Sequence, residues 1–184
     1  TVPSEPEKPK EFVLPPASPT MRRLYAYLLQ QRFIDRDVLD AFTKRGMIYE
    51  SCEKSRAGTK EYHNAVFVGS DEYGTARHAH KRSLYTQGNS FRRNVEGGDP
   101  RCSFHWFGNS GRLYVFEAPI DLLAFLTLYP EAWREHSYVA LCGTSEQAML
   151  WMLEKDPRLQ RVVLCLDHDA AGIEATGRLT DILR

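Results

Sequence analysis

One arrangement occurs three times in the second half of the chain. A short, unbroken apolar run stops at a polar or acidic residue, and an amphipathic segment follows. The runs are Leu113–Phe116, stopping at Glu117; Tyr138–Cys142, stopping at Gly143 and Thr144; and Val162–Leu166, stopping at Asp167, His168 and Asp169. Apolar runs without alternation are strands buried on both faces. The helical segments between them, Pro119–Leu128, Ser145–Leu153 and from Ala170 onward, require crossover connections. The expected fold class is therefore α/β, with a parallel sheet covered on both sides. Ligands of such sheets sit beyond the carboxyl ends of the strands, where all three runs place their polar residues.

Asp167 and Asp169 stand two apart, and in extended chain residues i and i+2 point to the same side. Carboxylates so placed repel each other unless a cation lies between them. Hard divalent cations take carboxylate oxygens and are commonly shared with substrate phosphates. Gly172 would let the following helix come close, and the N-terminus of that helix would favour an anion. Simpler roles compete: Asp167 or Asp169 as a helix cap, Glu117 as a solvated edge acid, Asp121 as a first-turn acid favoured by the helix dipole. Gly143 reads as a point of tight backbone approach or as plain turn chemistry, and Thr144 as the cap of the next helix. Glu117 and the aspartate pair together favour the cation reading.

The first half follows another pattern. Residues 1–19 hold six of the ten prolines and read as an extended linker that is not packed and implies chain upstream. An α+β unit is expected over 20–110. Thr20 would cap a helix with Leu24, Tyr25, Leu28 and Leu29 on one face. Asp35 would cap a second, with Val38, Leu39 and Phe42 inward and Gly46 closing it. Strands are expected at Tyr62–Val68, Thr75–Arg82 and Cys102–Phe107, with a loop at Asn89–Pro100. Between residues 73 and 95 stand Arg77, Lys81, Arg82, Arg92 and Arg93, with Tyr85 and Phe91 interleaved and no acid among them. This is either a phosphate-contact surface with secondary base stacking or a solvated strand face. His78 and His80 read as surface histidines, or less simply as a metal pair.

Charge narrows the function classes. The 24 basic and 24 acidic residues cancel, which excludes a globally basic nucleic-acid protein. No apolar run approaches the roughly 20 residues of a membrane span, and no charged-then-apolar leader opens the chain. Cys52, Cys102, Cys142 and Cys165 contain no C-x-x-C pair, so no zinc is expected in this stretch. Cys142 and Cys165 read as buried thiols, and a cytoplasmic, membrane-free setting is expected.

The strand-end residues carry a family resemblance. Glu117 with Asp121, then Gly143 and Thr144, then Asp167, Asp169, Ala171 and Gly172 resemble, in order and context, the TOPRIM domain of bacterial primases. The pattern D-x-D-x-A-G is similar to that of replicative primases, although Ala118 stands where those usually carry Gly. Residues 20–116 resemble the uncharacterised domain preceding TOPRIM in plasmid and transposon primase-like proteins. The resemblance implies a TOPRIM domain over 111–184, incomplete at its C-terminal end. It implies that Glu117 is the catalytic acid/base, that Asp167, Asp169 and Asp121 hold Mg²⁺ or Mn²⁺, and that the partners are DNA template and nucleotides. Other replication or transfer proteins are further implied partners. The leading expectation is a primase-like nucleotidyltransferase of a mobile element or plasmid. A TOPRIM nuclease, or a non-catalytic nucleic-acid-binding module, is the alternative.

Overall fold

A computed structural model of the chain describes residues 8–85, 87 and 91–184; Pro3, Pro6 and Asn89 lie outside them. The first half builds an antiparallel sheet of β1 (Ile48–Lys54), β2 (Glu61–Ser70), β3 (Ala76–Ser83) and β4 (Arg92–Asn94), in that spatial order. β2 and β3 fall where alternation predicts them. β1 and β4 escape that reading. The face of β1 that carries Ile48 also carries Glu50 and Cys52, so no apolar alternation marks it, and β4 is three exposed residues inside the expected loop.

The helical hairpin departs from expectation in one half. Asp35 does cap α2 (Arg36–Thr43), accepting from the Val38 N–H at 3.2 Å, and Val38, Leu39 and Phe42 are buried. In α1 (Arg22–Tyr25), however, Met21 is the N-terminal residue and Thr20 caps nothing. The acceptor comes from β1 instead: the Leu24 N–H donates to Glu50 Oε1 at 2.9 Å. Beyond α1 the coil widens into a π turn over Ala26–Gln31, with the Arg32 N–H donating to the Tyr27 carbonyl at 3.1 Å. Tyr27 is thereby buried, while Tyr25 and Leu29 lie only half inside.

The described part of the proline-rich segment is packed, against the expectation of an unpacked linker. Ala17 bridges Ser51, the Ser18 N–H donates to the Glu50 carbonyl at 2.8 Å, and the Cys52 N–H donates to the Pro16 carbonyl at 3.0 Å. Tyr49 Oη donates to the Pro15 carbonyl at 2.6 Å. Phe12 packs on Val66, Val68 and Ala79.

The second sheet has the order β5-β7-β6-β8, from β5 (His105–Trp106), β6 (Arg112–Phe116), β7 (Ser137–Ala140) and β8 (Arg161–Cys165). β6 is parallel to both β7 and β8; β5 runs antiparallel to β7. Leu122, Leu123 and Leu126 of α3 (Pro119–Leu128) pack with Phe116, Tyr138 and Ala140 on one face. Ala148, Met149 and Met152 of α4 (Gln147–Lys155), with Leu179 of α5 (Ala170–Leu183), pack with Leu113, Val115, Val139 and Leu141 on the other. Alternate residues of the same strands thus feed two cores, which accounts for the unbroken apolar runs.

Phe42 joins the two halves. Its ring lies 5.3 Å from Phe104, 5.3 Å from Trp106 and 5.7 Å, stacked nearly parallel, from Trp133. Gly69, near the end of β2, lies so close to the Cys102 carbonyl that a Cβ there would sit 1.6 Å from its oxygen.

His78 and His80 are buried, not on the surface. His80 pairs with Asn94 Oδ1 at 2.7 Å, whereas His78 Nδ1 has no hydrogen-bond partner among the described residues. Burial first, and His80 second, push the His78 value down from 6.5 to about 4. The unfolded chain therefore takes up this proton before the folded one does, and stability falls as pH drops through that window. Urea midpoints measured between pH 7 and pH 4 should decline less steeply for His78→Leu than for the parent; equal slopes would exclude this histidine as a source.

Candidate active site

The strand order creates the site. α3 leaves the end of β6 toward one face, and α5 leaves the end of its neighbour β8 toward the other. Helices diverging from adjacent strand ends leave a crevice between them. Glu117 closes β6 and Asp167 follows β8, and the two meet: the Asp167 N–H donates to Glu117 Oε1 at 3.2 Å. Gly172 explains how they come so close. A Cβ at this position would sit 1.9 Å from the Asp167 carbonyl oxygen and 2.8 Å from Glu117 Oε1, so only glycine lets the first turn of α5 pass beneath both.

Asp169 takes the helix cap, accepting from the Gly172 N–H at 2.8 Å. This is the simpler of its two expected roles, and it leaves the second carboxylate oxygen uncommitted. Asp121 lies in the first turn of α3, half-buried and within electrostatic range of Asp167. The four acids act on one another electrostatically. Burial, then the carboxylates of Asp167, Asp169 and Asp121, push Glu117 up, against the Asp167 N–H. Burial and Asp167 likewise push Asp121 up, opposed by Arg32 and Arg82. The oxygens are not closed into one tight ligand shell. Among the described residues, the one group of three or more potential ligands with atoms mutually within 4.8 Å is Cys52, Glu61 and His63, away from this rim.

The middle strand contributes differently than expected. Gly143 adopts φ 151°, next to Cys142 at φ 53°, and nothing lies within 4 Å of a Cβ placed on it. It serves the turn and not a close approach. Thr144 does not cap α4, whose N-terminal residue is Glu146 without a side-chain cap. The Thr144 carbonyl accepts from Arg178 Nη2 at 2.6 Å, while Arg178 Nη1 holds Glu146 at 2.8 Å. Cys142 and Cys165 are half-buried as residues, but burial pushes the Cys142 thiol up to about 12 and the Cys165 thiol up as well; Cys102 is buried as a residue.

The basic stretch divides between the two faces of its sheet. Arg82, with Arg92 opposite it in the register, shares the face of His80. Arg82 Nε donates to Tyr27 Oη at 3.0 Å. Lys81 and Arg93 pair on the other face: Lys81 Nζ is 3.1 Å from Glu53, and Arg93 lies over Phe91 at 5.4 Å. Arg77 is held by Asp71 at 2.8 Å. Arg32, which the sequence reading passed over, acts on Asp121 electrostatically from the end of the π turn. No local pattern marks it, because a π turn arises from packing. Asn94 also joins the sheet to the rim, donating to the Cys142 carbonyl at 3.1 Å.

Residues 26–110 match the family model described as a protein of unknown function, DUF3991, and residues 114–184 match the model described as Toprim-like. The chain is a DUF3991 domain followed by a Toprim-like domain. Its fold is that of primase catalytic cores. It superposes on the primase fragment of the bacteriophage T7 primase-helicase protein with a TM-score of 0.61 at 18% identity, covering 85% of this chain and 60% of that one. For the DnaG primase catalytic domain bound to single-stranded DNA, the TM-score is 0.53 at 17% identity, covering 88% and 61%. An uncharacterized protein of Bacillus anthracis is 26% identical over 178 residues, covering 85% of this chain and 46% of that protein. The chain thus spans about half the length of this curated relative. No helix among the described residues is long and apolar enough to cross a membrane.

The Toprim-like rim depends on Gly172. A methyl group there must move either the Asp167 backbone or α5, and such overpacking costs about 1–3 kcal/mol. Gly172→Ala should lower the urea midpoint by a corresponding amount, whereas Gly177→Ala, where nothing lies within 4 Å, should not lower it.

Proposed function

We propose that this chain is the nucleotidyl-transfer core of a primase-like protein that acts on a DNA template with nucleotides as substrates. The observation that carries the reading is the contact of Glu117 with Asp167 at one rim, with Asp169 and Asp121 close by and Arg32, at the end of the π turn, and Arg82, on β3, within electrostatic range of Asp121. Carboxylates crowded at one rim are held together at a cost unless a cation or a proton joins them. Their oxygens are the hard donors that Mg²⁺ or Mn²⁺ prefers, and waters complete such a shell without all carboxylates touching the ion. Asp167, Asp169 and Asp121 would hold the cation, which when bound supplies positive charge to phosphoryl oxygens.

The remaining work falls to the chain's own groups. Glu117, pushed up by burial and its neighbours, can hold or release a proton nearer neutrality than an ordinary carboxylate. Arg82, positioned by Tyr27, and Arg32 present guanidinium groups to phosphate across the crevice, and Arg92 extends the same face. Lys81, Arg93 and Phe91 stand on the opposite face, where they would contact a template strand and not the reacting phosphates. The TOPRIM relatives noted above support this reading through fold. A cytoplasmic plasmid or mobile-element replication protein is its proposed setting.

Calorimetric titration with Mn²⁺ should show binding by the parent chain, and loss of at least ten-fold in affinity for Asp167→Asn/Asp169→Asn. Unchanged affinity would remove the cation from this rim. With single-stranded template and nucleotides, the full-length protein should extend primers. Cleavage of the strand without synthesis would assign it instead to the TOPRIM nucleases.

A further inference from the structure

Away from the rim, β1 and β2 carry a second group of donors whose chemistry is different. Cys52 and His63 stand directly opposite each other in the antiparallel register, and Glu61 lies two residues before His63 on the same face. The thiol, one carboxylate oxygen and one imidazole nitrogen lie within 4.8 Å of one another. His63 Nε2 is 3.6 Å from Glu61 Oε2. A tetrahedral zinc ion with bonds of about 2.0–2.3 Å needs its donors roughly 3.5 Å apart, so closing this shell takes about an ångström of side-chain movement.

The histidine is already oriented for this. His63 and Glu50 are both buried, and Glu50 Oε2 lies 2.6 Å from His63 Nδ1. Glu50 is in turn fixed by the Leu24 N–H. A carboxylate that holds one ring nitrogen and directs the other outward is the support that metal-binding histidines ordinarily have. Nε2 at present meets Arg23 Nη1 at 3.0 Å; Arg23 is exposed and can swing into solvent.

We propose that Cys52, His63 and Glu61 form a binding site for a thiophilic divalent cation of the zinc class, with a fourth position open to water. The thiolate selects against the Mg²⁺ favoured by an all-oxygen rim. On binding, the Cys52 thiol loses its proton to solvent, its sulfur bonds the cation, and the Arg23 contact to Nε2 is given up. The cation would tie the end of the β1–β2 pair to α1 through Glu50. No pair of cysteines marks this site in the sequence, because its ligands converge only once the two strands are in register.

Titration of the full chain with Co²⁺ reports sulfur ligation directly, through thiolate-to-metal charge-transfer absorption. The parent should show this band saturating at one equivalent and bleached by Zn²⁺. Cys52→Ser should abolish it, Glu61→Gln should weaken binding about ten-fold, and Asp167→Asn/Asp169→Asn should leave it intact. Arg23→Ala should tighten binding, an outcome that misfolding cannot produce. Absence of the band in the parent, its persistence in Cys52→Ser, its loss in the rim variant, or unchanged or weaker binding by Arg23→Ala would each overturn the proposal.

Discussion

Parallel strands joined by helices can cross over in only one hand, and this restriction places the acids. β7 lies beside β6, but β8 lies on the other side of β6. The chain therefore reverses direction across the sheet between its first and second crossovers. With handedness fixed, α3 and α4 must cover opposite faces, as their packing partners show. The central strand ends where the covering helices part, and Glu117 is its last residue's neighbour. Gly172 then allows α5 to start close enough for the Asp167 backbone to reach Glu117. Sheet order, a single glycine and a helix cap between them set the geometry of the rim.

The first domain completes the crevice by a longer route. Phe42 locks α2 against the aromatic residues of the second half. The π turn before it puts Tyr27 under Arg82 and ends at Arg32. Those two arginines oppose the carboxylates electrostatically at Asp121. Asn94, holding both His80 and the Cys142 carbonyl, makes a second bridge between the halves.

Elements that announce themselves by local periodicity were legible in the sequence. α3, the three parallel strands, α2 with its Asp35 cap, and the β2–β3 pair all lie close to their expected places. What was missed depends on contacts distant in sequence. Glu50 replaces Thr20 as the acceptor for α1 from 26 residues away. β1 hides because two of its buried positions, Glu50 and Ser51, are polar, and Thr144 has no capping role because α4 starts later, with Glu146 as its N-terminal residue. Glu117, Asp167 and Asp169 were readable as residues, since they stand where apolar runs stop. The cap made by Asp169 was readable as one of two alternatives, but the dispersal of the basic stretch over two faces was not, because it follows from the fold of the surrounding chain.

The proline-rich segment shows what such contacts can do for a sheet. Residues 16–18 lie along the outer side of β1, using hydrogen-bonding groups that an edge strand would otherwise expose. Pro15 and Pro16 have no N–H to offer a further strand. An open edge is a template on which a second molecule can add and begin an aggregate. Here the chain covers its own edge with a proline-containing segment, so this border of the sheet offers a second molecule fewer free backbone groups on which to add.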